Sequence, residues 1–343
     1  MMGDEAPREA SRALRTLMPD LEAEERDYLP AFRSMADLLL NRATLIAAGV
    51  PHRLTEVEFY YRGGRHRDDF THGDPIQTTF GIWYFHKTGG EYRGGTYKGL
   101  DISIGYDDTH GGILIRGLER LAPAPERLDG PCLVVDHLLS LNRSPSIREL
   151  VSRFDLRIDA PEEPGARPLY VTMDEGSRGQ AVYESPRVGL TLKRGDLALR
   201  QRFIARPYRF LTEPARIKKG KVHVIVALHR RGMAAAEIAR ITGAGAASVR
   251  KYAALYEEGK GRSPAEFRGD LSTEDLCRLL GACHPMSFVV PRHLHPPHGG
   301  HLASPASAGA ARRVGSTELD ARAAGNPPLP QGRPRSTSGR GGA

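Results

Sequence analysis

Leu54-Thr-Glu-Val-Glu-Phe-Tyr-Tyr61 is the stretch that decides the fold. Polar and apolar residues alternate along it, which is the period of a β-strand. The alternation separates two groups of side chains: Glu56, Glu58 and Tyr60 on one face, Val57 and Phe59 on the other. Ionisable side chains on a strand face cost free energy unless that face lines a wet or catalytic cavity. The stretch therefore predicts a strand with one core face and one candidate site face.

The residues around this strand divide into helical and strand-rich segments. Residues 1–49 carry apolar residues at helical spacing, and Pro30 is placed to begin a helix over residues 31–48. From Leu54 to about Val135, short strand-like runs are separated by pairs of glycines, which favour tight turns. The stretch that follows, to residue 211, mixes both patterns. We therefore expect an α+β fold for this part of the chain.

Residues 216–262 have a different, purely helical pattern. Helices are predicted over three ranges: 222–231, 234–242 and 246–258. The turn Gly243-Ala-Gly245 separates the last two, and the pattern resembles a helix-turn-helix DNA-binding unit. Its last helix would present three side chains to DNA: Ser248, Arg250 and Lys251. The alternative is a helical hairpin that only docks another domain.

Positive charge is concentrated in this helical region. Residues 216–262 contain eleven Lys or Arg against three Glu, whereas the net charge of the whole chain is +8. Basic units of this kind neutralise DNA phosphates and release their counterions. We expect three lysines near its start to contact phosphate: Lys218, Lys219 and Lys221. A solvated helical surface without a partner is the alternative.

Composition limits the class of protein. The 343 residues suffice for one large core and a small second unit, and three cysteines are too few for a disulfide framework. No apolar run approaches the about 18 residues that cross a bilayer, and the first residues lack a signal-peptide pattern. We expect a monomeric, intracellular, DNA-associated protein that needs no metal or cofactor and contacts no membrane. From Pro291 onward the composition predicts a disordered tail, whose four histidines form a solvated tract or a metal site: His293, His295, His298 and His301.

The candidate site residues recur in a definite order. Glu58 and Tyr60 are followed by a histidine in Thr71-His72-Gly73-Asp74 and an arginine in Gly112-Ile-Leu-Ile-Arg116-Gly-Leu-Glu119. Three later motifs follow: Asp129-Gly-Pro131, Ser185-Pro-Arg-Val-Gly-Leu190 and Arg206-Pro-Tyr-Arg-Phe210. Over roughly residues 35–212, this ordered set resembles the alkyladenine (3-methylpurine) DNA glycosylase family. The helix-turn-helix unit is not part of that family's usual architecture.

The resemblance implies a curved antiparallel sheet with flanking helices, and an enzyme that hydrolyses the N-glycosidic bond of a flipped, alkylated base in double-stranded DNA. Glu58 would be the general base that deprotonates the attacking water, and Arg116 beside it would keep it ionised. Tyr60 would stack against the flipped base, and His72 would pack against it and hydrogen-bond to it.

Between these anchors the chain departs from the family's pattern. Gly81–Lys87 falls where the family has a tyrosine-rich strand. Three residues there could supply stacking rings, in a register that the sequence leaves open: Trp83, Tyr84 and Phe85. Asp101 stands where the family has an asparagine, and a carboxylate, which only accepts hydrogen bonds, would favour an amino-bearing or protonated base. The glycine-rich residues before Asp101 look like an insertion.

Each candidate also has a structural interpretation. Glu56 and Glu58 would be salt-bridged strand carboxylates, Tyr60 a half-buried strand tyrosine, His72 a loop histidine and Arg116 a partner of Glu119. For the whole chain there are two alternatives to a glycosylase. One is a non-catalytic protein that binds modified DNA, and the other is a helix-turn-helix transcriptional regulator.

The same patterns predict five segments along the chain. They are an N-terminal helical segment (1–34), a glycosylase-like α/β domain (35–212), a helix-turn-helix unit (216–262), a short helical extension (263–290) and the disordered tail (291–343).

Overall fold

The computed structural model of the chain describes residues 9–163 and 165–284. Within them ten strands form one antiparallel sheet, and two short strands form a separate hairpin. The strands are β1 Ala43–Ala47, β2 Val50–Gly63, β3 His66–Arg67, β4 Trp83–Phe85, β5 Lys87–Thr88, β6 Glu91–Tyr92, β7 Leu100–Ser103, β8 His110–Arg120, β9 Glu126–Asp129, β10 Leu169–Met173, β11 Tyr183–Ser185 and β12 Arg209–Leu211. The helices are α1 Glu9–Arg15, α2 Glu25–Arg42, α3 Pro131–Leu141, α4 Ile147–Val151, α5 Leu197–Ile204, α6 Lys221–Arg230, α7 Ala235–Thr242, α8 Ala246–Gly259 and α9 Thr273–Ala282. The protein is therefore of the α+β class, which confirms that prediction.

The sheet is built around β2, its longest strand. Along one edge β2 pairs with β8, and the sheet continues through β7 to β4. Along the other edge β1, β12 and β3 pair with successive parts of β2, and β10 lies beyond β1. A β-bulge between Leu54 and Val57 shifts the register of β2 against β8. One strand thus gathers segments that are far apart in sequence.

The main core lies between α2 and one face of the sheet. A reciprocal capping box between Glu24 and Asp27 begins α2. Four apolar side chains at helical spacing are then buried: Tyr28, Phe32, Met35 and Leu39. Phe32 stacks on Phe59 of β2, with ring centroids 4.7 Å apart. Val57 joins the same core, so that β2 has the core face that its alternation predicts.

The helix predicted over residues 31–48 is wrong at both ends. α2 begins at Glu25, so Pro30 lies inside it, and it ends at Arg42. Residues 43–47 form β1 instead, between β2 and β10. The β-branched Thr44 and Ile46 favour an extended strand, and the two neighbouring strands satisfy its backbone groups. Pairing with distant segments therefore overrides the local helical pattern.

Helices α6, α7 and α8 form a three-helix unit whose bounds agree with the prediction to within one residue. Five buried side chains make its centre: Val224, Ile225, Leu228, Ile238 and Val249. Gly243 ends α7 at φ +63°, in the left-handed region that favours glycine. α9 lies within the predicted helical extension and packs against α8. None of the described helices is long and apolar enough to cross a membrane.

The described residues all belong to one compact unit. The predicted disordered tail and its histidine tract lie outside the described residues.

Candidate active site

One row of paired residues crosses the sheet on the face away from the main core. The register pairs five residues in succession across β4, β7, β8, β2 and β12: Tyr84, Asp101, Leu114, Glu58 and Arg209. Directly paired residues point to the same face of a sheet. Since neighbouring strands lie about 4.8 Å apart, the Cα atoms of Asp101 and Glu58 are about 10 Å apart.

A carboxylate cluster, consisting of Glu56, Glu58, Tyr60, Arg116 and Arg209, occupies one end of this row. Arg116 Nε lies 2.7 Å from Glu56 Oε1 and 3.4 Å from Glu58 Oε1. Arg209 Nε lies 2.9 Å from the same oxygen of Glu56. The Tyr60 hydroxyl donates to Glu58 Oε2 at 2.8 Å. Two carboxylates and two guanidinium groups therefore balance each other's charge.

This balance keeps Glu56 and Arg116 ionised although both are buried. Burial alone would raise the pKa of Glu56, but the charges of Arg209 and Arg116 lower it below its ordinary value. Burial alone would lower the pKa of Arg116, but Glu58 and Glu56 raise it. Burial, and then the charge of Glu58, raise the pKa of Tyr60 well above its ordinary value, so its hydroxyl stays protonated and remains a donor.

The turn after β11 closes the cluster. The backbone N–H of Val188 donates to Glu58 Oε1 at 2.7 Å. The neighbouring Arg187 is buried, lies 2.6 Å from Asp68 and places its guanidinium over the ring of Tyr60, 4.4 Å from the centroid. Glu58 has no exposed surface, and each of its oxygens accepts a hydrogen bond. Because Glu58 has no exposed surface, a water molecule bound to it would have to displace one of the groups packed around it.

The alternative pairing of Arg116 with Glu119 is wrong. Glu119 is matched in register with Arg53 and forms an ion pair with it. It also lies 3.1 Å from Arg216 Nη1. Arg116 is thus left to the two carboxylates of β2.

A histidine cluster, consisting of His72, Gln77, Tyr84, His86 and Asp101, occupies the other end of the row. His86 Nε2 lies 2.7 Å from Asp101 Oδ1, and the side-chain amide of Gln77 donates to Asp101 Oδ2 at 3.3 Å. The rings of His72 and His86 are 4.2 Å apart between centroids. His72 Nδ1 lies 3.3 Å from the Tyr84 hydroxyl. Asp101 is buried and each of its oxygens already has a partner within the protein, so its role as an acceptor for a base stays a prediction.

The strand β4 shows which aromatic residue lies on this face. Tyr84 joins the histidine cluster, whereas Trp83 and Phe85 are buried in the main core. The indole N–H of Trp83 donates to the carbonyl of Leu169 at 3.2 Å. Alternation along a strand leaves only the middle residue on the site face. The prediction that Trp83 or Phe85 stacks on a base is therefore wrong.

The DNA-contact candidates on α8 differ in their surroundings. Ser248, Arg250 and Lys251 are all exposed. Lys251 Nζ lies 2.8 Å from a carboxylate oxygen of Glu274 on α9. Arg250 makes no ion pair within residues 9–163 and 165–284.

The three lysines around the start of α6 also differ in their exposure. Lys218 and Lys219 are exposed, and Lys221 is partly buried. Lys221 Nζ donates to the carbonyl of Ala215 at 3.1 Å. Lys218 and Lys219 are therefore better placed to meet phosphate than Lys221.

Sequence reasoning missed several polar residues of the two clusters and their surroundings, among them Gln77, His86, Arg187 and Arg209. The two arginines lie in the segments 185–190 and 206–210, which served only as family markers. An arginine between Tyr208 and Phe210 was a usable signal, because a buried guanidinium needs a carboxylate or carbonyl partner. His86 carried no such signal, since its contact with Asp101 depends on the pairing of β4 with β7.

A groove of about 480 Å³ lies elsewhere, lined by residues between Phe154 and Arg167. Its Arg157 and Arg167 both pair with Asp155, so its charges are largely satisfied within the groove. The two clusters on the sheet remain the stronger candidate site.

The chain was also compared with known proteins. It is 32% identical over 204 residues to "Uncharacterized protein L759" of Acanthamoeba polyphaga mimivirus. The alignment covers 55% of this chain and 89% of that relative. This chain belongs to the L759 family. No family model matches the chain, and no solved structure gives a significant match. Membership of the L759 family names no substrate, so the functional inference depends on the two clusters.

Proposed function

We propose that this protein is a DNA glycosylase-like enzyme, which hydrolyses the N-glycosidic bond of a modified, flipped base in duplex DNA. One observation supports this most. Side chains from five strands meet on one sheet face, with Glu58 beside Arg116 at one end and Tyr84 beside His72 at the other. The Cα atoms of Asp101 and Glu58 are about 10 Å apart, and in this proposal the flipped base lies at the histidine cluster with its sugar toward Glu58.

Glu58 acts as the general base in this proposal. It takes a proton from water as the water oxygen bonds to the sugar C1′ and the bond from C1′ to the base nitrogen breaks, its electron pair leaving with the base. Its negative charge also stabilises the oxocarbenium-like transition state. The Tyr60 hydroxyl is the donor that water replaces most readily, because Val188 donates from the backbone and Arg116 is also bound to Glu56.

The histidine cluster holds the leaving base. The exposed ring of His72 offers a stacking surface that suits any purine, and the buried Tyr84 supports it from its hydroxyl. Asp101, held by His86 and Gln77, fixes the orientation of the His86 ring.

The three-helix unit supplies DNA affinity in this proposal. Lys218, Lys219 and Arg250 neutralise phosphates, and Ser248 adds a hydrogen-bond donor near the start of α8. If this assignment holds, the protein binds double-stranded DNA as its partner and is located on DNA in the cell.

The test is base release from duplexes that carry 3-methyladenine, hypoxanthine or another modified base, measured as abasic-site formation. Glu58→Gln should lower the single-turnover rate at least about 100-fold while duplex affinity is kept, since that is the usual scale for loss of a general base. Glu126→Gln, an exposed carboxylate of β9, is the matched control and should leave the rate unchanged. An undiminished rate in Glu58→Gln would remove Glu58 from the mechanism.

A second candidate is a protein that binds a modified base without cleaving it. The complete burial of Glu58, with donors on both oxygens, favours this function. The same duplexes distinguish the two candidates. Tighter binding to a modified duplex with no abasic sites, in wild type and Glu58→Gln alike, would support the non-catalytic function.

A further inference from the structure

Arg209 joins the three-helix unit to the carboxylate cluster. Its Nε lies 2.9 Å from Glu56 Oε1. Its two terminal nitrogens donate to the carbonyls of Gly220, at 3.0 Å, and Lys219, at 3.1 Å. These carbonyls belong to the turn that leads into α6. One fully buried guanidinium therefore bridges this turn and a carboxylate of the candidate site.

The turn fits closely against the cluster. Gly220 has φ +73°, and a Cβ atom there would come within 2.3 Å of a Val188 methyl and 2.6 Å of an Arg209 terminal nitrogen. Val188 is the residue whose backbone N–H binds Glu58. A single added methyl group at Gly220 would thus displace the two residues that hold Glu56 and Glu58.

α6 makes a second contact behind the same cluster. His223 is buried, and its Nδ1 lies 3.1 Å from the carbonyl of Pro186. Pro186 precedes Arg187 and Val188, which cover Tyr60 and Glu58. Two separate contacts therefore connect α6 and its preceding turn to the residues around Glu58.

We propose that the Lys219–Gly220 turn is a positioning element, which fixes Arg209 and through it the geometry of Glu56, Arg116 and Glu58. The three-helix unit then serves the hydrolytic site itself as well as DNA affinity. Arg209 and Gly220 are positioning residues, because they act on Glu58 through Glu56 and Val188. This inference depends on the proposed function in one respect: Glu58 must be the carboxylate that faces the developing positive charge.

The experiment compares two full-length glycine variants. Gly220→Ala should move the cluster, whereas Gly232→Ala introduces the same methyl at φ +80°, in the same unit, with nothing within 4 Å. The probes are a duplex with a cationic pyrrolidine abasic nucleotide and a duplex with a neutral tetrahydrofuran one. Wild type and Gly232→Ala should prefer the cation at least about tenfold, and Gly220→Ala should lose that preference while it keeps its affinity for the neutral duplex.

The outcomes separate this inference from the proposed function. Wild type without a preference for the cation would overturn the role of Glu58, and with it the proposed function. A preference that survives in Gly220→Ala would overturn the positioning role alone. Equal loss of affinity for both duplexes would show a purely structural effect and would also overturn it. Should Gly220→Ala fail to fold, Arg209→Lys is the second variant, since lysine keeps the charge but cannot bind Glu56 and both carbonyls together.

A second measurement needs no nucleic acid. Gly220→Ala and Glu56→Gln should be strongly non-additive in urea unfolding, by at least about tenfold in the unfolding equilibrium constant, because both act on Arg209. Gly232→Ala combined with Glu56→Gln should be additive. Additive effects in both pairs would show that the turn and the carboxylate are not coupled.

Discussion

Tyr60 is the residue on which access to Glu58 depends. Its hydroxyl donates to Glu58 Oε2, and its ring lies under the guanidinium of Arg187. Because burial and the charge of Glu58 raise its pKa well above the ordinary value, the hydroxyl stays protonated and remains a donor at neutral pH. The side chain is therefore a support for the carboxylate and, in the proposed mechanism, the group that the attacking water displaces.

Replacement of this hydroxyl gives a prediction for stability. Tyr60→Phe should lower the free energy of unfolding by about 1–3 kcal/mol, since it leaves a buried carboxylate oxygen without its donor. Tyr61→Phe is the matched control, because the same atom is removed one residue further on, from the core face of the same strand. Urea unfolding measures both. Equal losses in the two variants would show that the bond to Glu58 contributes nothing specific.

Gly112 matters because of the space it leaves. It faces Ser103 and Tyr60 in the sheet register, and a Cβ there would come within 2.5 Å of Asp101 Oδ2 and 2.9 Å of Gln77 Nε2. Only a residue without a side chain allows Asp101 and Gln77 to lie over β8.

Gly112→Ala should therefore destabilise the protein by about 1–3 kcal/mol, the usual cost of overpacking a buried site. Gly94→Ala, with nothing within 4 Å of its Cβ, should change stability little. Thermal unfolding of the two variants measures the difference. An unaffected Gly112→Ala would mean that the histidine cluster can shift without cost.

At the level of elements, two neighbouring basic residues of α8 differ in whether they form an ion pair. Lys251 is paired with Glu274 of α9, whereas Arg250 projects from an exposed position. An ion pair already made within the protein must be broken or shared before its cation can neutralise a phosphate. The two neighbouring residues should therefore contribute unequally to DNA binding.

Arg250→Gln should weaken binding to all duplexes and reduce the slope of log affinity against log salt by about 1. Lys251→Gln is the matched control and should reduce the slope by clearly less. Titration of one duplex at several salt concentrations gives both slopes. Equal slopes for the two variants would mean that the pairing with Glu274 does not hold in the complex.

The elements also show what sequence could predict. The helices of the three-helix unit were predicted to within one residue, because helical periodicity and Gly243 are local signals. β1 was assigned to a helix, because its strand state depends on β2 and on β10, more than a hundred residues away. The same holds for the site. Alternation along β2 predicted that Glu58 and Tyr60 share a face, whereas the contact of Arg209 with Glu56 depends on the register of β12.

At the scale of the whole molecule, three of the buried histidines among the described residues tie stability to pH: His52, His66 and His223. Burial lowers the pKa of each from 6.5 to about 4. The unfolded chain therefore binds more protons than the folded one between these two values. The contribution of each histidine to the free energy of unfolding is fully present above about pH 6.5. It is lost as the pH falls toward 4, by up to about 3 kcal/mol per histidine.

Urea unfolding at pH 7.5 and pH 5 should show this loss. His223→Gln should reduce it, because glutamine stays neutral and can still donate to the carbonyl of Pro186. His229→Gln, at a ring bonded to Glu257 near the surface, is the control and should retain the full loss. A loss in His223→Gln as large as in wild type would show that His223 does not titrate in this range.

The bulge in β2 affects where the gene tolerates the insertion or deletion of a codon. It lies between Leu54 and Val57, at Glu56 and before Glu58 and Tyr60, and every later residue of β2 takes its face from it. Removal or addition of one codon between the bulge and Tyr60 would exchange the faces, so that carboxylates would enter the core and aromatic rings would face the site. The glycine-rich hairpin near residue 90 has open space around it and would absorb the same change. Descendants of this gene should therefore vary in length at that hairpin, while the seven codons from Leu54 to Tyr60 keep their number even where their residues change.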